Sequence, residues 1–152
     1  MEFQNPPVSV LSKKQLYVFD MDGTIYLGSV VFDFAIRFID HLRASGRRVM
    51  FYTNNASHTT EFYINKLTRL GFSPTADEIM TSGDVTYEFL SRHRNGKSVY
   101  MVATDELVEE YRAKGINVLN GKADIQSADV VVTSFDTSLT YEKLNIACRL
   151  IR

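Results

Sequence analysis

Short apolar runs alternate with amphipathic stretches of helical period along nearly the whole chain, and this alternation restricts the fold more than any single residue. LYVFD (16–20), RRVMFYT (47–53), EIMTS (78–82), SVYMVA (98–103), INVL (116–119) and ADVVVTS (128–134) are rich in aromatic and β-branched residues and read as strands. Between them lie helical patterns. Phe34, Phe38, Ile39 and Leu42 recur at helical spacing over 33–45, with Gly46 as the stop. SHTTEFYINKLTRLG (57–71) offers Ser57 as its cap, and GDVTYEFLSRH (83–93) follows the third strand. TDELVEEYRAKG (104–115) opens on Thr104, and TYEKLNIACRLIR (140–152) opens on Thr140. Strands separated by helices of this length imply parallel pairing through crossover connections, an α/β fold with a Rossmann-like sheet. LYVFD is expected to be a buried strand of that sheet.

Composition narrows the function classes. The 152 residues carry 17 basic and 18 acidic side chains, a formal net charge of -1, so a polyanionic partner such as nucleic acid is not expected. The densest basic cluster, SRHRNGK (91–97), lacks interleaved aromatics and reads as a solvated turn. No run of 18 apolar residues occurs, and no membrane partner is expected. The leader, residues 1–14, contains two prolines and lacks the charged and apolar regions of a signal peptide. Cys148 is the single cysteine, which excludes a disulfide within the chain, and its place in LNIACRLI reads as a buried structural thiol. Together these features point to the cytoplasm.

Chemistry concentrates where the first strand ends. Asp20 closes LYVFD and Asp22 stands two residues on, so a turn can aim both carboxylates into one crevice at the carboxyl edge of the sheet, where α/β proteins bind ligands. Two carboxylates at one spot repel unless a cation neutralises them. Oxygen donors without a neighbouring His or Cys suit Mg²⁺ rather than zinc. Gly23 permits backbone conformations closed to other residues and lets main-chain N–H groups approach an anion. Thr53 supplies a hydroxyl at the end of the second strand, with Asn54 and Asn55 beside it. The set suits a phosphoryl group, with Asp20 as nucleophile and Asp22 moving protons to and from oxygen. The rival reading of the two aspartates is a solvated turn. His58 reads as a first-turn helix residue, His41 and His93 as surface residues, and Tyr17, Tyr52, Tyr63 and Tyr100 as core or core-edge packing.

DMDGT after an apolar run resembles the first signature motif, DxDGT, of the haloacid dehalogenase superfamily of aspartate-nucleophile phosphatases, and VMFYTNN resembles its second. GTIYLG, FYTNNAS, EIMTSGDVT and VVVTSFDTSLTYEKL are similar to the NagD-like, para-nitrophenylphosphatase branch, subclass IIA. The resemblance implies that Asp20 is nucleophile and Mg²⁺ ligand, and that Asp22 is acid/base and offers its backbone carbonyl to the metal. It implies that Thr53 and the backbone of Asn54 hold phosphoryl oxygens. It implies a core over 15–85, a crossover near Ser82 to Thr86, and an α/β cap inserted over 86–152 whose loops face a small phosphate-ester substrate. Asn55 and Asp136 are the substrate-facing candidates, and for Asp136 the capping of a turn is an equal alternative. Ser134 stands where the branch commonly has Gly. A homo-oligomer through the cap stays open.

The family also uses a third-motif lysine and a fourth-motif acidic pair that follow the cap. No lysine within residues 1–152 stands in a matching context, and the last helical pattern reaches Arg152 without a stop signal. The chain is therefore expected to be cut within the cap. Three readings result: an Mg²⁺-dependent phosphatase of a small phosphorylated metabolite, a fragment of one able only to bind phosphate or Mg²⁺, and a phospho-acceptor signalling domain.

Overall fold

The computed structural model describes residues 8–119 and 128–152. One helical turn, α1 (Val8–Leu11), precedes the first strand, β1 (Leu16–Asp20), where a loose leader was expected. It is fastened from two sides: the Tyr17 hydroxyl donates to the Leu11 carbonyl at 2.5 Å, and Arg47 donates to Ser12 O at 2.9 Å. A hairpin follows, β2 (Tyr26–Leu27) with β3 (Val30–Val31), and then α2 (Ala35–Ala44), β4 (Arg48–Thr53) and α3 (Thr60–Arg69). A 3₁₀ turn (Ala76–Glu78) leads into β5 (Ile79–Thr81) and α4 (Ser82–His93).

The first sheet has the order β1-β4-β5, all parallel, with Asp20 opposite Tyr52 and Thr53 opposite Thr81. Among the described residues only β4 pairs with β1, and Leu16 and Val18 are 42% and 56% exposed rather than buried as expected. The core lies where α2, α3 and the hairpin meet β4, around Met21, Ile25, Tyr26, Ile39, Phe51, Leu67 and Phe72. Each large side chain buried there contributes roughly 1.5–3 kcal/mol relative to exposure. Helix α2 turns Ala35, Ile39 and Leu42 inward, while Phe34 and Phe38, expected on the same stripe, are about half exposed.

Helix α3 begins two residues later than expected. Thr59 is its cap and accepts from the Phe62 N–H at 3.3 Å. Ser57 is already engaged, since its N–H and hydroxyl both donate to Asn55 Oδ1 at 2.9 and 2.6 Å. His58 accordingly lies in the loop before the helix. Helix α4 starts with a capping box in which Thr81 and Asp84 satisfy each other's backbone donors.

A second sheet has β6 (Ser98–Val102) at its centre, parallel to β7 (Asn117–Val118) on one side and β8 (Val130–Thr133) on the other. Between β6 and β7 runs α5 (Asp105–Ala113), capped by Thr104, and after β8 comes α6 (Tyr141–Ile151), capped by Thr140. All five residues of β6 are buried. Cys148 is exposed rather than buried, because α6 packs through Ile146, Ala147 and Leu150 and residue 148 falls off that stripe.

Candidate active site

The crevice begins with the alternation of residues 20–22. Met21 is fully buried in the first core, so its neighbours Asp20 and Asp22 both face outward. The chain then turns tightly. Gly23 adopts φ 86 and donates its N–H to the Tyr26 carbonyl at 2.7 Å, while Thr24 and Ile25 N–H donate to the Met21 carbonyl at 3.2 and 3.0 Å. Nothing lies within 4 Å of a Cβ built on Gly23, so its conformation, not lack of space, calls for glycine. Its own amide is committed to the turn. The Thr24 hydroxyl donates to Asp20 Oδ2 at 3.0 Å.

Because β4 is hydrogen-bonded beside β1 in parallel, its end brings Thr53, Asn54 and Asn55 to the same edge. Asp20, Asp22, Thr53, Asn54, Asn55 and Phe135 line one crevice of about 290 Å³. Thr53 is buried and its Oγ1 accepts from the Asn55 N–H at 3.1 Å. Asn55 accepts at its carbonyl from the Tyr63 hydroxyl at 2.9 Å, and its side-chain oxygen is held by Ser57. The Asn54 carbonyl accepts from the Ser82 hydroxyl at 2.8 Å, tying this loop to the start of α4. Thus five residues singled out by sequence gather in one place, with Gly23 shaping the turn beneath them.

Asp136 stands differently. Its side chain is 1% exposed and is held by Lys143 Nζ at 2.7 Å, by the Ser138 N–H at 2.8 Å and by the Ser138 hydroxyl at 2.7 Å. Burial pushes its carboxyl up, but the hydrogen bonds from Lys143 and Ser138 and the lysine charge outweigh this and hold it below the usual aspartate range. Its neighbour Phe135, 58% exposed, is the residue of this loop that walls the crevice.

Two features of the site were not legible from spacing. Tyr26 and Tyr63, with His58, Phe62 and Lys66, enclose a small cavity beside Asp22 and Thr53. Burial first, then the charge of Asp22, pushes the Tyr26 hydroxyl up beyond its ordinary value, so it stays a protonated donor. Phe135 lies two residues beyond the end of β8, where the strand-end logic applied to β1 could have found it.

Among the described residues no Lys, Arg or His pairs with Asp20 or Asp22, and no group of three or more His, Cys, Asp or Glu could hold a metal ion. The donors at hand are two outward carboxylates, a hydroxyl and backbone carbonyls. That hard-oxygen set fits Mg²⁺, which keeps several waters and takes one or two carboxylates from a protein.

An acidic crevice at the carboxyl edge of a parallel sheet defines a Rossmann-like α/β protein with an aspartate-centred site. Residues 17–117 match the family model described as haloacid dehalogenase-like hydrolase, and the chain belongs to that family. The acid sugar phosphatase of Staphylococcus aureus is 32% identical over 142 residues, 93% of this chain and 53% of that protein. The 4-nitrophenylphosphatase of Thermotoga maritima matches in structure with a TM-score of 0.81 at 34% identity, covering 93% of this chain and 52% of that one. The glycerol phosphate phosphatase of Mycobacterium tuberculosis, solved in complex with magnesium, matches with a TM-score of 0.76 at 28% identity, covering 90% and 40%. The chain spans about half the length of the curated relatives it matches. Among the described residues no helix is long and apolar enough to cross a membrane.

Proposed function

We propose that the protein is an Mg²⁺-dependent phosphatase that hydrolyses a small phosphorylated metabolite through an aspartyl-phosphate on Asp20. The observation that carries this reading is the gathering of Asp20, Asp22, Thr53, Asn54 and Asn55 on one crevice at the ends of two paired parallel strands. The named activities of the relatives support it.

In this reading a carboxylate oxygen of Asp20 attacks phosphorus and the ester P–O bond breaks. Asp22 protonates the departing oxygen. Water then attacks the aspartyl-phosphate, Asp22 takes its proton, and inorganic phosphate leaves with Asp20 restored. Thr53 and the Asn54 amide hold phosphoryl oxygens, and the loop bonds from Asn55 and Ser82 keep them in place. Asp20 and the carbonyl of Asp22 would hold Mg²⁺, which would supply the charge screening that lets an anionic ester approach two carboxylates. Residues 15–85 act as the core and 86–152 as the cap. Phe135 walls the crevice on the side where the leaving group would lie.

Trapping tests the covalent step. Para-nitrophenyl phosphate with Mg²⁺ is quenched in acid, and borohydride then reduces the acyl phosphate to homoserine. Homoserine at position 20 in the peptide mass spectrum is the expected result. Turnover with an unmodified residue 20 would remove Asp20 from the nucleophile role, and turnover undiminished by chelation would remove the metal.

A further inference from the structure

The loop between β4 and α3 belongs to both sheets at once. Its first half lines the acidic crevice. Its second half is fastened to the second sheet's layer: Ala56 is a member of the apolar cluster of Leu90, Val99, Met101, Leu107 and Tyr111. The Ser57 carbonyl accepts from the buried Thr104 hydroxyl at 3.1 Å. One residue then reaches two consecutive positions of the loop. The Glu106 carboxylate in the first turn of α5 meets His58 Nδ1 at 3.3 Å and accepts from the Thr59 N–H at 3.4 Å. The His58 ring is stacked on Phe62 at 3.8 Å and walls the small cavity that also touches Asp22, Thr53 and Lys66. Lys66, which also lines that cavity, lies over the Tyr26 ring at 4.3 Å.

We propose that Glu106 is a positioning residue: from the cap it fixes the loop that carries Asn54 and is bonded to Thr53, and so couples cap placement to phosphoryl binding. The proposal rests on the phosphatase reading above. The path is continuous. Glu106 holds residues 58 and 59, Ser57 is clamped to Asn55, and the Asn55 N–H donates to Thr53 Oγ1. A loop braced internally in this way transmits a shift at one end to the other instead of absorbing it. Displacement of phosphate-binding donors by about an ångström is enough to cost up to a hundredfold in rate. One carboxylate shared between the His58 ring and the Thr59 N–H brings cap and core together at a single point.

The test uses the whole polypeptide, inorganic phosphate as ligand, and amide exchange over residues 53–59. Glu106→Ala is expected to speed exchange at Thr59 and Asn55 and to weaken phosphate binding, each by roughly tenfold. The melting midpoint should stay within about 2 °C. Glu106→Gln keeps a carbonyl oxygen for the Thr59 N–H and should restore both readings to within about twofold. With para-nitrophenyl phosphate, Glu106→Ala should raise KM more than it lowers kcat. Unchanged exchange at Thr59 in Glu106→Ala overturns the tie. Faster exchange with unchanged phosphate affinity overturns the coupling, and Glu106→Gln no better than Ala overturns positioning in favour of bare charge. An unmutated chain that binds no phosphate removes the phosphatase reading and the coupling with it. Exchange at Thr59 still reports in that case whether Glu106 holds the loop.

Discussion

The ends of β1 and β8 both lead into aspartates near the same crevice, and the two ends treat them in opposite ways. Asp20 and Asp22 are exposed and have no cationic partner among the described residues. The Asp136 side chain is almost wholly buried, and Lys143 and Ser138 occupy its oxygens. A carboxylate whose lone pairs are filled by the protein contributes order to its loop and has nothing left for a ligand. One left open at a strand end carries a standing repulsion that a metal ion or a transferable group relieves. The contrast separates acids that the protein holds from acids that it leaves open to a ligand, although the sequence offers both in similar strand-end settings.

Asp20→Asn presses hardest on that contrast. Hydrolysis of para-nitrophenyl phosphate should fall by roughly a thousandfold or more while the melting temperature holds, because the side chain is exposed and removes no packing. Activity retained within tenfold would erase the distinction at the β1 end. Lys143→Met should act the other way round: it strands a buried carboxylate and costs about 3 kcal/mol in denaturant unfolding. A variant as stable as the parent would show that Asp136 is not held by its lysine. Acid gives the smallest and most graded effect. The folded-state carboxyl of Asp136 lies below its ordinary value of 3.8, so the stability it contributes is present above that value. It should be lost as pH falls from there through the lowered pKa. Amide exchange at Ser138, which donates to Asp136, should rise over that window, and loosening already at neutral pH would contradict the assignment.

Much of the fold was legible, for reasons that particular residues make clear. Alternation of strand and helix periods fixes a parallel α/β arrangement, and Thr104 and Thr140 announce their helices because each hydroxyl stands just before an amphipathic stretch. Ser57 misleads because Asn55 takes both its donors, a competition that composition does not reveal. The β2–β3 hairpin went unread, since two-residue strands are too short to show a period. Cys148 looked buried because its neighbours are apolar, yet helical phase places it one step away from the packed face. The crevice of the candidate site was legible where it is local, in DMDGT and YTNN. It was not where it depends on chain segments far apart, as with Phe135 and the contact of Glu106 with His58.

The crevice wall has a consequence for folding order. The turn after β1 closes over a few residues and β1 finds β4 after a single helix, so the acidic floor can form early with little loop entropy to overcome. Phe135 reaches the crevice from a segment more than 80 residues beyond Thr53, past β6, β7 and β8. Closing such a distant contact is slow compared with local pairing. The acidic floor of the crevice thus rests on contacts closer in sequence than the one that brings Phe135 to its wall, so floor and wall differ in the loop entropy each must overcome.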